Sequence, residues 1–426
     1  MPALVFFSPG PHTHLMFSAQ SLDFLLSPAG GAVLAWLTTQ DLREAQTLPL
    51  LARLRRDLPP ELAAAALTLA RLRQRAAAKF SRAEAMFFTA DALEQASGEV
   101  VATWRAQRFA EGGYAQIADL GCGIGGDTLA LAARSGTTVI AVDRDPLRLR
   151  LARANLATYG RSAQWLCADL RDPLPLMGVP AAFFDPARRD AGRRLFFVRD
   201  YVPPLEVIRR WRFAALAVKL SPGVALDELT PYIQAGAGVE FVSAGGELKE
   251  AVLWSGELGF AGRWASRADA REALHPTGAP PPPLSVPRAY LLEPDPAVIR
   301  AGLLGELAEH LGMALYRLDE SIAYLTADSP VTSGWARIWP VLDWLPFNLK
   351  RLRQALRARG IRRATVKKRG SPLTPAEARQ LLQLDGESDD DVVVLTQVQG
   401  QHSALICGRM LSGPPEGEER RWTSSR

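Results

Sequence analysis

The chain has 426 residues, 48% of them hydrophobic, and carries a formal net charge of +5 at pH 7. This length predicts two or three domains with ample hydrophobic cores, and no run of about 18 apolar residues is present to cross a membrane. Three cysteines cannot build a disulfide framework, and five scattered histidines offer no zinc-ligand spacing. The composition therefore favours a cytoplasmic protein that binds no structural metal.

The first quarter of the chain has the pattern of a helical region. Residues 1–20 are predicted to be a disordered extension, in which Met16 is an alternative start. Over 21–112, leucine and alanine recur at three- and four-residue spacing, and Pro59 and Pro60 separate two of the segments. A stripe of basic side chains follows these segments: Arg53, Arg55, Arg56, Arg71, Arg73, Arg75 and Lys79. The stripe is compatible both with a soluble helical bundle and with a substrate-binding face.

A glycine-rich stretch, Asp-Leu-Gly-Cys-Gly-Ile-Gly-Gly-Asp at 119–127, follows an apolar strand predicted over 114–120. An amphipathic segment begins directly after it, so the glycines occupy a strand-to-helix turn. Glycine permits positive φ at such a turn, and the new helix presents unpaired N–H groups to a ligand. Because Gly121, Gly123 and Gly126 also satisfy the dinucleotide spacing, a nicotinamide-dependent enzyme remains an alternative at this point.

Three further apolar strands are predicted after the glycine turn, over 138–142, 163–167 and 181–184. Helical segments alternate with them, which is typical of a doubly wound α/β sheet. Each strand is followed within two residues by an aspartate, so these acids are expected to meet at the carboxyl edge of the sheet. Together with the acid of the first strand, they are Asp119, Asp143, Asp169 and Asp185. The acid after the second strand stands where it can accept hydrogen bonds from both hydroxyls of a ribose.

With the glycine turn, these four acids resemble the motif series of class I S-adenosylmethionine-dependent methyltransferases. Over 119–160 the chain is similar to trimethylguanosine synthase and related RNA methyltransferases, in Cys-Gly-Ile-Gly-Gly-Asp-Thr, Val-Ile-Ala-Val-Asp-Arg-Asp-Pro and Ala-Arg-Ala-Asn-Leu-Ala-Thr-Tyr-Gly. The segment 79–95 is similar to the lead-in that precedes the core in that group. The resemblance implies a Rossmann-like, seven-stranded methyltransferase sheet over 113–262, with an antiparallel last strand.

The resemblance also implies S-adenosylmethionine as the cofactor and a place for each of its parts. The first acid and the glycine turn are expected to hold the methionine portion, the second acid the ribose, and the third acid the adenine amino group. The cofactor-binding set implied in this way is Asp119, Gly121, Gly123, Gly125, Asp143 and Asp169.

The tetrapeptide Asp185-Pro186-Ala187-Arg188 occupies the place where amino-methylating enzymes carry an Asp/Asn/Ser-Pro-Pro-aromatic sequence. Asp185 and Pro186 are therefore predicted to be catalytic, with their oxygens accepting hydrogen bonds from an exocyclic amine of an RNA base. Arg188 replaces the aromatic residue that stacks on a flipped base, which leaves the target atom open. Arg188, Arg189 and the arginines that follow favour a polyanionic substrate.

Other functions remain open at this stage. Lys79, Asp185, Lys219 and Glu250 follow the order of the Lys-Asp-Lys-Glu tetrad of ribose 2′-O-methyltransferases, in which a lysine deprotonates the hydroxyl. Lys219 is in either case a candidate substrate-binding residue at the end of a strand. A methyltransferase for proteins or small molecules, and an RNA-binding protein without activity, are further alternatives.

The C-terminal part begins after a Pro-rich stretch. Residues 263–287, which include Ala279 to Pro283, are predicted to be an extended linker. Helices mixed with short strands then predict a small α+β domain over 288–411, and 412–426 is predicted to be a disordered tail. One predicted helix begins at Pro375, with Thr374 as its N-cap.

A basic block lies within this α+β domain. Between Phe347 and Ala376 there are ten Lys or Arg residues and no acid. The overall plan, with this block, resembles bacterial methyltransferases that carry a THUMP-like C-terminal domain. Lys367, Lys368 and Arg369 are therefore predicted to contact RNA, either tRNA or rRNA, and the oligomeric state is left open.

Overall fold

The computed structural model describes residues 17–190, 193–195 and 197–413. Within these residues the chain forms two compact units. The first unit comprises the residues up to 237 together with 253–260, and the second comprises 238–252 together with the residues from 261 onward. The predicted extension at 1–16 and most of the predicted tail, 414–426, lie outside the described residues.

Six helices precede the first strand, as the spacing of leucine and alanine predicts. They are α1 (Ala19–Leu26), α2 (Pro28–Thr38), α3 (Thr47–Leu54), α4 (Pro60–Ala76), α5 (Ala90–Gln95) and α6 (Glu99–Glu111). Pro60 occupies the first turn of α4, where a missing N–H costs no helix hydrogen bond. The apolar face of α4 packs against α1, α2 and α3 in one buried core. No single described helix has the length and hydropathy of a membrane span; α1 and α2 reach them only as a pair bent by 76°.

The first unit contains a parallel sheet. Its strands are β1 (Gln116–Leu120), β2 (Thr138–Asp143), β3 (Gln164–Cys167), β4 (Ala181–Phe184), a small hairpin β5 (Arg189–Asp190) and β6 (Arg193–Arg194), and β7 (Ala215–Leu220). The order β7-β4-β1-β2-β3 is parallel throughout. Connecting helices are α7 (Gly126–Leu131), α8 (Pro146–Thr158) and α9 (Thr230–Ile233). The register aligns Leu120 with Val142 and Phe184, so the acids at these strand ends share one edge.

The second unit begins with a group of four strands. They are β8 (Gly238–Ala244), β9 (Glu247–Gly256), β10 (Arg263–Arg267) and β11 (Glu272–Leu274), in the order β11-β10-β8-β9. The last residues of β9, from Leu253, belong to the first unit, where they lie beside β7. The seven strands that the resemblance implies are, in their order within the sheet, β3, β2, β1, β4, β7, β9 and β8.

The rest of the second unit is a seven-stranded sheet with four helices. The strands are β12 (Tyr290–Pro294), β13 (Tyr316–Arg317), β14 (Leu325–Ala327), β15 (Ala336–Pro346), β16 (Thr365–Lys368), β17 (Val392–Val398) and β18 (Gln401–Cys407). The helices are α10 (Pro296–Ala301), α11 (Leu304–Leu311), α12 (Leu349–Ala358) and α13 (Pro375–Leu382). The strand order is β13-β14-β12-β15-β18-β17-β16. This arrangement confirms the predicted α+β class.

The linker prediction over 263–287 is wrong in its first half, because β10 and β11 lie there. Residues 263–274 contain no proline or glycine, and β10 pairs with β8 in parallel. The Pro-rich composition that favours an extended linker begins only after these strands. The helical residues from Pro296 to Leu311 form two helices, because Gly302 adopts φ 75° and ends α10. The predicted cap at Thr374 is confirmed, with Glu377 completing a capping box.

Candidate active site

The glycine turn forms a bare backbone cradle between β1 and α7. Gly121 has φ 87°, and a Cβ there would lie 2.6 Å from the backbone oxygen of Asp185. Gly125 has φ 84° and packs against α8 so closely that a Cβ would lie 3.0 Å from Leu156. At Gly123, with φ 55°, a Cβ would meet no atom within 4 Å. Two of the glycines are therefore needed for packing, and the third borders open space.

That open space is a cleft of about 350 Å³ at the carboxyl edge of the first unit's sheet. The glycine turn forms its floor, and the end of α5 with the residues up to Ser97 forms part of its rim. Asp143, Asp169 and Asp185 line it, as does Pro186. The strand-end acids that the sequence predicts as cofactor-binding or catalytic are thus brought together around one cleft, with Asp119 buried behind the glycine turn.

Asp119 is fully buried and only partly satisfied. One of its oxygens accepts a hydrogen bond from the Thr128 hydroxyl, and Oδ1 has no hydrogen-bond partner among the described residues. Burial, with the charges of Asp127 and Asp185 nearby, raises the pKa of Asp119 to about 8. An unpaired carboxylate oxygen behind a glycine cradle suits the cationic amino group of a methionine moiety.

The raised pKa makes a prediction about stability. An aspartate that titrates near pH 3.9 when unfolded and about 8 when folded stabilises the fold fully below about pH 4, and this contribution is lost as the pH rises through about 8. In Asp119→Asn this loss is absent, so the difference in unfolding free energy between variant and wild type is expected to grow with pH. Denaturant titrations from pH 4 to pH 9 measure it. Parallel curves for the two proteins would contradict the prediction.

Asp143 and Asp169 have different surroundings. Asp143 is buried, which raises its pKa, and it accepts hydrogen bonds from the backbone N–H groups of Gly123, at 3.0 Å, and Asp145, at 2.9 Å. It therefore holds the glycine turn in place. Asp169 is held by Arg171 at 2.6 Å, and the hydrogen bond from Arg171 lowers the pKa of Asp169. Their roles toward ribose and adenine stay predictions.

Asp185 forms an ion pair with Lys219. The Lys219 Nζ lies 2.8 Å from Asp185 Oδ2, and the lysine side chain is 4% exposed against 21% for the aspartate. Lys219 also donates to the backbone oxygen of Gln95 at 3.4 Å. The lysine therefore lies beneath the carboxylate, and Asp185 itself faces the cleft.

Of the Lys-Asp-Lys-Glu tetrad considered as an alternative, the structure brings Asp185 and Lys219 into contact. Lys79 donates to the backbone oxygens of Leu93, Glu94 and Ala96 at 2.9, 3.2 and 3.3 Å. These carbonyls are at the C-terminal end of α5, where a cation satisfies unpaired acceptors and the helix dipole. The observed contacts of Lys79 are thus those of a helix cap.

Four arginines line the cleft. Arg171 is paired with Asp169, and Arg148 lies 3.8 Å from Asp145. The side chains of Arg144 and Arg188 form no hydrogen bond or ion pair within the part of the chain that the structure describes, although the charge of Arg144 helps to lower the pKa of Asp169. Arg189, also predicted to bind substrate, contributes its backbone to β5. Among the described residues, the cleft thus presents two guanidinium groups that are not hydrogen-bonded to the protein.

Four of the ten cations in the basic block form ion pairs with acids outside it: Arg359, Arg362, Lys367 and Arg369. RNA contact by Lys367, Lys368 and Arg369 stays a prediction. Lys367 lies 3.1 Å from Glu293, and Arg369 and Arg337 lie 3.5 and 3.6 Å from the same carboxylate. Burial alone would raise the pKa of Glu293, but these cations hold it below its ordinary value. Lys368 is exposed and donates to the Ser371 backbone oxygen at 3.4 Å. The acids absent from the block are supplied by other segments.

This pairing predicts that Lys367 stabilises the fold. In Lys367→Ala the half-buried carboxylate of Glu293 loses a hydrogen-bonded cation, and the free energy of unfolding is expected to fall by about 1–3 kcal/mol. Lys350→Ala is the matched control, because Lys350 is exposed and has no partner among the described residues; a change within about 0.5 kcal/mol is expected. Equal unfolding midpoints for the two variants would contradict the prediction.

A buried arginine at the site is not apparent from the sequence. Arg105, on α6, is 2% exposed, forms an ion pair with Asp127 and donates to the Ser97 hydroxyl at 2.9 Å. Its guanidinium also lies 4.7 Å from the centre of the Phe183 ring. It connects the helical region to the first turn of α7. The only signal in the sequence is a charged residue among apolar neighbours, which many surface helices share.

Comparison with known proteins agrees with this geometry. The family model "Methyltransferase domain" matches residues 117–186, "THUMP domain-like" matches 336–409, and a domain of unknown function matches 18–76. Over 338 residues the chain is 35% identical to an uncharacterised S-adenosylmethionine-dependent methyltransferase of Mycobacterium tuberculosis, in strain CDC 1551 and in strain H37Rv, covering 77% of this chain and 90% of that protein. The chain belongs to the S-adenosylmethionine-dependent methyltransferase family.

A solved structure supports the fold of this methyltransferase. A candidate methyltransferase from Porphyromonas gingivalis W83 superposes with a TM-score of 0.71 and 21% identity, covering 93% of this chain and all of that one. The cofactor is S-adenosylmethionine, and the cleft fits it: an open glycine cradle, a buried unpaired carboxylate oxygen and acids at the ends of β2 and β3. The nicotinamide alternative is thereby set aside.

Proposed function

We propose that this methyltransferase acts on a base nitrogen of RNA, with Asp185 as the residue that receives the target amine. The observation that carries the proposal is the pair of Asp185 and Lys219 at the cleft, beside Arg188, whose guanidinium forms no hydrogen bond or ion pair with the described residues. Asp185, which would accept a hydrogen bond from the amine, and Arg188, which would bind the adjoining phosphate, thus line the same cleft. The match to a THUMP-like domain over 336–409 supports RNA as the substrate class.

Bound S-adenosylmethionine supplies an electrophilic methyl group on its sulfonium. The chain has to position the nucleophile and accept a proton. In our proposal Asp185 and the backbone oxygen of Pro186 accept hydrogen bonds from the exocyclic amine, which directs its lone pair at the methyl group. Lys219 fixes the orientation of the carboxylate through Oδ2, and the amine proton leaves toward Asp185. The buried Asp119 and the glycine turn hold the methionine portion.

The charge of the cleft supports a polyanion as substrate. Arg144 and Arg188 lie on its wall, and their side chains form no hydrogen bond or ion pair with the described residues. Guanidinium groups in this state bind phosphate well. A small neutral acceptor would leave both unexplained. The positive charge of these two arginines also favours RNA over a protein substrate, unless that protein is acidic.

Ribose 2′-O-methylation is the second candidate, and the buried Lys219 favours it. A lysine next to a carboxylate is the part of the tetrad that would deprotonate a hydroxyl. Against it stands Lys79, whose amino group donates to backbone oxygens at the end of α5.

The deciding experiment is methyl transfer from labelled S-adenosylmethionine to total RNA from a strain that lacks this gene, followed by nucleoside digestion and mass analysis. A base methylated on nitrogen is the expected product. A 2′-O-methyl nucleoside would replace the amine mechanism with the tetrad mechanism. If the protein binds the cofactor and no nucleoside is methylated, the proposal of an RNA substrate is overturned.

A further inference from the structure

A second pocket of about 450 Å³ lies in the first unit, next to the cofactor cleft. One wall comes from residues 173–178, in the connection between β3 and β4. The opposite wall comes from the segment before β7, Arg-Trp-Arg-Phe at 210–213, of which Trp211 and Phe213 are half-buried. The pocket has the size of a small-molecule or nucleotide site and two aromatic rings on one side.

Cations flank the aromatic rings. Arg210 and Arg212 line the pocket, are exposed, and have no hydrogen bond or ion pair within the described ranges of the chain. Asp172 is the one acid that lines it. Two unpaired guanidinium groups alternating with aromatic side chains fit a ligand that carries both phosphates and flat rings. A purely apolar ligand would leave the arginines without a role.

The pocket adjoins the cofactor cleft and lies close to Asp185. Leu170 and Arg171 line both it and the cofactor cleft. The Trp211 ring packs edge-on against Phe184, with ring centres 5.0 Å apart, and Phe184 immediately precedes Asp185. An RNA strand with one nucleotide at Asp185 can therefore place a neighbouring nucleotide in this pocket.

We propose that this pocket binds a single-stranded segment of the RNA substrate beside the target nucleotide. A flanking base stacks on the Trp211 ring and meets Phe213 edge-on, because the two ring planes cross at 71°. Arg210 and Arg212 bind the phosphates on either side. The inference rests on RNA being the substrate and adds to it the form of the RNA: an unpaired strand, since stacking on a protein ring requires an unstacked base. The methyl-accepting site and the stacking site then bind adjacent nucleotides of one RNA strand.

The test measures binding of a fluorescently labelled, single-stranded RNA of about ten nucleotides to the full chain, at several salt concentrations. Trp211→Leu is expected to weaken binding about 5- to 150-fold without changing its salt dependence, because stacking is worth about 1–3 kcal/mol per base. Arg210→Ala with Arg212→Ala is expected to reduce the slope of log affinity against log salt by about 1.4, at about 0.7 per lost phosphate contact. An abasic strand should bind wild type and Trp211→Leu equally.

Trp36→Leu is the matched control, since Trp36 is also half-buried beside an arginine, Arg53, at 4.6 Å, on the N-terminal helices. It should bind RNA as wild type does. Unfolding midpoints and cofactor affinity verify that each variant is folded. If wild type methylates RNA and Trp211→Leu binds the strand with unchanged affinity, the stacking pocket is overturned and the RNA substrate stands. If wild type neither binds nor methylates RNA, the proposed function fails as well.

Discussion

Asp185→Ala is expected to lower the rate of methyl transfer about 10²- to 10⁴-fold and to leave the affinity for S-adenosylmethionine nearly unchanged. The carboxylate faces the cleft and is held from below by Lys219, at 2.8 Å, so it can direct an amine without reorganisation. The substitution removes this acceptor but leaves the glycine turn, Asp119 and Asp143 in place. Single-turnover transfer to RNA, together with cofactor binding by calorimetry, separates the two effects.

Asp185→Asn distinguishes the two mechanisms. An amide oxygen still accepts a hydrogen bond from an amine but does not take its proton, so this variant is expected to be slower than wild type and faster than the alanine variant if a base nitrogen is the target. A hydroxyl target would need the charged pair with Lys219, and both variants would then lose activity alike. Asp57→Ala, at an exposed position away from the cleft, is the control. Full turnover by Asp185→Ala would remove Asp185 from the mechanism.

The parts of the fold that follow from local periodicity are predictable from the sequence. Parallel strands have nearly continuous apolar runs, and the acid after each run marks the strand end, so the cleft acids can be placed without a structure. The observed strand β4, Ala181–Phe184, has the predicted bounds. Register then follows from topology: because β1 lies between β2 and β4, the ends of all three reach one edge.

The partners of charged groups are not predictable in this way, because they depend on which distant segments meet. Lys367 and Glu293 are 74 positions apart, and Lys219 and Asp185 are 34 apart. A window that counts ten cations and no acid around Lys367 therefore misses the acid that binds it. The same limit applies to the pocket at Trp211, whose opposite wall is the connection between β3 and β4.

Arg105→Met is expected to lower the free energy of unfolding by about 3–5 kcal/mol, the largest effect on stability that the site predicts. The guanidinium is 2% exposed, and its removal leaves the Asp127 carboxylate, with 11% of its side chain exposed, without its cation. Asp127 lies in the first turn of α7, directly after the glycine turn. The variant is therefore expected to lose cofactor affinity together with stability, as measured by denaturant unfolding and by calorimetry.

A double-mutant cycle tests whether the loss arises from an uncompensated charge. Removing one partner of a buried pair is costly, whereas removing both leaves no buried charge, so Arg105→Met with Asp127→Asn is expected to be more stable than Arg105→Met alone. Arg56→Met, at an exposed position in the turn after α3, should change stability by less than about 0.5 kcal/mol. Strictly additive losses at Arg105 and Asp127 would show that packing against Phe183, and not the ion pair, is what Arg105 contributes.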